Sequence, residues 1–205
     1  LFYSVWKSGQ TGDVTRVASC PTDSDDPAST TLKQAFEDQI ASMPTGERFH
    51  LHITPDYSTS TIPGETYKFF NKPYGLRHWM QQALGLPDKM GAYQDTVFVI
   101  LDPDQFLLRP FQSDYTNSNI VFHTNTDGDH RIHQGHPISQ FYQYGSAFMD
   151  KLYDIESIVA ATNSTTESYL YHWTHSEVND HYVAGPPYMA VGTDMYQIVN
   201  SWANV

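Results

Sequence analysis

The stretch TVFVILDPDQFLLRP, residues 96–110, decides how the rest of the chain is read. Val97 to Leu101 is an unbroken apolar run, rich in β-branched and aromatic side chains and too short for a helix, so it predicts a buried strand over 96–101. That run ends on two carboxylates, Asp102 and Asp104, on either side of Pro103. Where strands alternate with helices, ligands collect outside the carboxyl ends of the strands. The two acids stand at such an end.

Two aspartates one residue apart can both reach a hard cation if the backbone turns between them, and proline restricts that turn. Carboxylate oxygens suit magnesium or manganese, which typically bind through one or two carboxylates plus substrate phosphates. A metal in that place acts as a Lewis acid on a diphosphate leaving group. The plain alternative is a surface turn, since Asp and Pro are ordinary turn residues.

Working outward, the chain alternates between strand and helix patterns. Residues 14–18, VTRVA, follow the turn signal Gly9-Gln10-Thr11-Gly12 and read as a strand. The opening LFYSVWKSGQTG looks like the end of a helix, and so like a chain that begins inside a larger protein. PTDSDDPAST, residues 21–30, reads as a loop, and residues 31–42 as a helix through Leu32, Phe36 and Ile40. FHLHI, residues 49–53, is a strand with His50 and His52 on the face opposite Phe49, Leu51 and Ile53, expected to be exposed.

In NKPYGLRHWMQQALGL, Asn71 can cap a helix and Pro73 suits its first turn, with an apolar stripe through Leu76, Trp79, Met80, Ala83 and Leu84. SNIVFHT reads as a possible strand, residues 146–159 as a helix, and PPYMAVG as a strand. Thr193 then caps a last helix carrying Met195, Ile198, Val199 and Trp202 on one side. This alternation predicts an α/β sheet with helices packed on it, in a single domain over residues 1–205.

Composition narrows the function classes. Asp and Glu number 23 against 11 Lys and Arg, for a net charge of −12. Nucleic acid is held by clustered cations that neutralise phosphates, and no basic patch is present, so nucleic-acid binding is not expected. No run of about 18 apolar residues occurs, so no membrane span is expected in this chain. The one cysteine, Cys20, permits no intrachain disulfide and points to a reducing compartment. Asn163-Ser164-Thr165 is a glycosylation sequon in a polar stretch and points the other way, to the secretory pathway. His130, His133 and His136 recur every third residue, a spacing open to a transition metal but more simply a solvated loop around Gly135. No P-loop lysine follows the glycines near residue 10, and no Gly-x-Ser-x-Gly elbow is present.

Several of these segments together resemble the plant and algal hydroxyproline O-arabinosyltransferase and peptidyl serine α-galactosyltransferase group of glycosyltransferases. The segments are WKSGQTGDVTRVASC, YKFFNKPYGLRHWMQQ, VFVILDPDQFLLRPF, GHPISQFYQYG and GPPYMAVGTDMYQIVNSW, in that order. His136 stands where arginine is usual in the group, and the stretches 21–48 and 111–130 match less well. The resemblance implies a GT-A fold, a mixed sheet flanked by helices that binds a nucleotide-diphospho-sugar. It also implies that Asp102 and Asp104 hold Mn2+ or Mg2+ and the diphosphate of a UDP-sugar. Asn71 and Lys72 match the donor-facing helix start, and Gly185 and Pro186 the strand flanking the donor sugar. The implied reaction moves a sugar onto serine or hydroxyproline of a secreted glycoprotein, in the Golgi lumen.

The family pattern runs past both ends of the chain, so the resemblance implies a partial domain that is a poor enzyme by itself. The alternative is a non-catalytic GT-A-like binding or structural module of an extracellular glycoprotein assembly.

Overall fold

The computed structural model describes residues 1–20, 26–44, 46–58, 70–119, 128–141 and 184–204. The expected helix at 146–159, most of the possible strand at 118–124 and the Asn163 sequon lie outside the described residues. The fold is mixed α/β, with helices flanking small sheets. The chain divides into two compact units. The first holds Leu1–Met90 and Pro103–Phe111, and the second Gly91–Asp102 and Gln112–Val205.

In the first unit, helix α1 (Phe2–Lys7) precedes β1 (Val14–Ser19). Helix α2 (Pro27–Ala41) follows, then β2 (Phe49–Thr54) and α3 (Asn71–Gln82). Strands β1 and β2 pair in parallel from Val14↔Phe49 to Ser19↔Thr54. Parallel pairing demands a crossover, and α2 is that crossover.

Helix α2 begins four residues before the 31–42 expectation. Asp26 accepts a hydrogen bond from the Ala28 amide at 2.7 Å, and Pro27 opens the first turn. An acidic cap followed by proline is a strong start signal that outweighs the polar composition around it.

One face of the β1–β2 pair is covered by aromatic side chains. The Phe2 ring meets Phe36 edge-on at 5.7 Å and Phe49 at 5.1 Å, so α1, α2 and β2 share one core. The other face carries α3. Gly75 lies against Val17 and Thr54, with an ideal Cβ position 3.4 Å from Val17 Cγ1 and 3.5 Å from Thr54 Oγ1. The α3 residues that bury fully are Pro73, Gly75 and Met80. Leu76 and Trp79 are half-buried, and Ala83 of the expected stripe is exposed.

The second unit is built on an antiparallel sheet. Strand β3 (Val97–Ile100) and β4 (Ile138–Phe141) both pair with the central β5 (Ala184–Val191). Strand β3 therefore stands at one side of the described sheet, not at its centre. The β4–β5 register slips between Ser139 and Gln140, so that Ser139 faces Tyr188 and Gln140 faces Gly185. The skipped residues are Pro186 and Pro187; neither has an amide hydrogen to give to a ladder, and bulges are where strand prolines are tolerated.

Helix α4 (Gly192–Asn204) follows β5 directly. Its buried ridge is Met195, Val199 and Ala203, each four residues apart. Ile198 and Trp202, expected on that side, are 38% and 37% exposed.

Candidate functional site

The carboxyl ends of β1 and β2 come side by side, because the strands are parallel and end together at Ser19 and Thr54. Their hydroxyls are 3.0 Å apart, and the Cys20 amide bonds the Thr54 carbonyl at 3.0 Å. The chain leaving β2 is tied to the start of α3. The Tyr57 amide donates to Asn71 Oδ1 at 2.5 Å, and Asn71 Nδ2 donates to Asp56 Oδ1 at 3.0 Å. Asn71 thus sits within the first turn of α3 and spends its side chain on the neighbouring loop; Phe70 is the N-cap residue and no side chain caps the helix. This corrects the expectation of a capping Asn71. Its amide group gains more from two cross-loop bonds than from one local bond.

Asn71 and Lys72 therefore stand beside the carboxyl ends of two parallel strands, where α/β sheets take ligands. Asp56 is held below the usual carboxylate range, first by the Ser58 amide and then by Asn71. Aromatic rings line the same region. Tyr57 stacks on Tyr74 with centroids 5.4 Å apart, Phe70 meets Tyr74 edge-on, and the Arg77 guanidinium lies 4.8 Å over the Tyr74 ring. Burial pushes the Tyr57 hydroxyl up, against the nearby charge of Arg77.

Asp102 is half-buried and stands two residues beyond the end of β3; Asp104 is exposed, in the turn begun by Pro103. The boundary of the two compact units falls between Asp102 and Pro103. Within the second unit, β3 and β5 run antiparallel with Ile100 opposite Tyr188. The chain therefore leaves β3 toward Asp102 at the end of the sheet that holds Gly185 and Pro186, both buried. So Asp102, Gly185 and Pro186 share one sheet end, while Asn71, Lys72 and Asp104 belong to the first unit. Among the described residues, no three His, Cys, Asp or Glu side chains are gathered as a metal cluster.

The periodic histidines resolve into a local brace. His133 Nε2 lies 3.1 Å from Asp129 Oδ2, and the same carboxylate takes two bonds from the Arg131 guanidinium, each 2.9 Å. The rings of His133 and His136 are 4.1 Å apart. The Gly135 amide donates to Asp194, in the first turn of α4, at 2.6 Å. Hydrogen bonds from Arg131 hold the Asp129 carboxyl far below the usual range.

A second histidine pair escaped the sequence reading. His52 and His78 meet between β2 and α3, with Nε2 of His52 2.9 Å from Nδ1 of His78. The face of β2 expected to be solvated is the one that α3 covers, so only His50 is exposed there. Asking what Gly75 packs against would have found the contact, since His78 lies three residues beyond it on the same face of the helix.

Comparison with known protein families, with curated proteins and with solved structures finds no match.

Proposed function

We propose that the chain is the nucleotide-sugar-handling part of a metal-dependent glycosyltransferase. It would act on a UDP-sugar donor and on serine or hydroxyproline of a secreted glycoprotein. The observation that carries this reading is the Asp102-Pro103-Asp104 segment, which begins two residues past the strand Val97–Ile100. The resemblance of five ordered segments to the hydroxyproline and serine glycosyltransferases supports it.

The donor set fits the ion. Asp102 and Asp104 offer carboxylate oxygens of the kind that suits Mg2+ or Mn2+, and such ions keep positions for phosphate oxygens and water. When bound there, the ion supplies Lewis-acid stabilisation of the departing diphosphate. The chain's own residues do the rest. By the resemblance, Lys72, in the first turn of α3, would offer a cation to the donor phosphate. Asn71 orders the loop after β2 against that helix start through Asp56 and Tyr57. By the resemblance, Gly185 and Pro186, buried at the start of β5, would flank the donor sugar. Work in the Golgi lumen agrees with the sequon at Asn163.

The test is calorimetric titration of the chain with UDP, with and without Mn2+, for the wild type and for Asp104→Ala. Manganese-dependent UDP binding that Asp104→Ala abolishes, at an unchanged melting temperature, is the expected result. UDP binding indifferent to manganese, or to that substitution, rejects the reading. A large fall in melting temperature assigns Asp104 to the turn instead.

A further inference from the structure

Two imidazoles facing each other across a strand–helix interface make a contact whose existence depends on protons. Nε2 of His52 and Nδ1 of His78 are 2.9 Å apart, so one nitrogen carries the hydrogen and the other offers its lone pair. A neutral pair satisfies this, and so does a pair holding one extra proton. Two imidazolium ions do not, because neither ring then has a lone pair. Among the described residues no carboxylate pairs with either ring, and so none of them offsets a second charge.

We propose that the His52–His78 pair is a proton-operated latch, which holds α3 on β2 and releases it when both rings are protonated.

The latch is placed where release has a consequence. His52 and Thr54 project from the α3-facing side of β2, and Val17 lies opposite His52 on β1. The Tyr57 ring also lies near His78, with centroids 6.5 Å apart. Loss of the contact therefore loosens the middle of α3 and, through Tyr57, the loop that Asn71 holds. The surrounding charges are few. Helix α3 brings Lys72 and Arg77, the latter directed over Tyr74. The loop brings Asp56, occupied with Asn71 and Ser58, and Tyr57. Strand β2 brings His50, exposed and 3.7 Å from Asp13. Strand β1 brings Arg16, which pairs with Leu51 on the opposite face, and then Cys20 just past its end.

Burial, and then the charge of His78, hold His52 below the ordinary 6.5. The closed form accordingly binds fewer protons than the open form in the interval below 6.5. Falling pH therefore favours opening, and stability at this contact rises with pH.

The experiment is hydrogen exchange of the whole chain between about pH 7.5 and about pH 5, corrected for intrinsic exchange, with His52→Gln alongside. The expected result is that α3 opens more as pH falls, approaching about tenfold per pH unit, while α2 stays protected. In His52→Gln that slope disappears. A flat α3 response, or an unchanged slope in the variant, overturns the latch. Nitrogen NMR of the wild-type imidazoles gives a second reading that needs no variant. A latch requires the pair to titrate in two separated steps. One shared step, coincident with that of exposed His50, overturns it.

Discussion

The carbonyl oxygen of Tyr93 occupies the place that a side chain at Gly192 would need. An ideal Cβ there would fall 2.2 Å from that oxygen and 3.1 Å from the Phe98 ring. Gly192 joins β5 to α4 with no intervening loop, so the chain before β3 presses on the junction itself. Backbone cannot swing aside as a side-chain tip can. Gly192→Ala should therefore cost about 3 kcal/mol, at the upper end of overpacking losses, read as a lowered midpoint in urea unfolding. A near-neutral change would mean the junction is not this tight.

Helix α4 gives a paired prediction. Met195 is fully buried, whereas Ile198, three residues on, is 38% exposed. Met195→Ala should cost about 3 kcal/mol through lost transfer energy and the cavity left behind. Ile198→Ala should cost under about 1 kcal/mol. Equal losses from the two would place the buried ridge elsewhere.

Asn71→Ala removes two hydrogen bonds at once and should destabilise the first unit by about 1–2 kcal/mol. It should also let Asp56 return toward the usual carboxylate range, since Asn71 is one of the groups holding it down. The Asp56 contribution to stability is complete above 3.8 and fades as pH falls through its lower folded value. Carboxyl-carbon NMR titration of wild type and variant reads the change directly. An Asp56 titration that ignores Asn71 would contradict the loop geometry.

Asp129 should still be ionised near about pH 3, below the ordinary aspartate value. The Arg131 fork and amide both favour the charged form. Arg131→Gln should move that titration upward, and stability contributed by the pair should be lost only as pH falls through the lowered value. Carboxyl NMR again decides. Because the Arg131 side chain is 62% exposed and its charge is screened by solvent, the unfolding midpoint near neutral pH should barely move.

Local signals carried most of the element reading, and contacts between distant residues carried what was missed. The strands expected at 96–101, 14–18 and 49–53 fell on Val97–Ile100, Val14–Ser19 and Phe49–Thr54, each to within a residue at either end. Phase within helices was less legible. In α4 the bulk of Trp202 suggests burial, yet Ala203 is the buried residue, and Trp202 stays 37% exposed while its ring meets Tyr188 of β5 at 6.2 Å. Of the candidate site, Asp102 and Asp104 are conspicuous because they are neighbours in sequence. The bonds from Asn71 to Asp56 and Tyr57 span 15 and 14 residues, and the His52–His78 contact spans 26. No window of periodicity contains pairs so far apart. Even so, alternation had already set His50 and His52 together on one face of β2, and Gly75 packs against Thr54 on that same face.

The first unit is not finished when its last helix is. The Leu107 amide donates to Ser4 Oγ at 3.1 Å and the Phe111 amide to Gln10 Oε1 at 2.6 Å, closing contacts across 103 and 101 residues. A ribosome making this chain must pass residue 111 before α1 can meet those partners. At typical elongation of about 5–20 residues per second, the stretch from Met90 to Phe111 adds about 1–4 s. By the time Phe111 leaves the ribosome the strand Val97–Ile100 has emerged as well, while its partner β5 has not. The nascent chain therefore carries an unpaired apolar strand just as its N-terminal half closes, and that is the moment at which a chaperone would have most to hold.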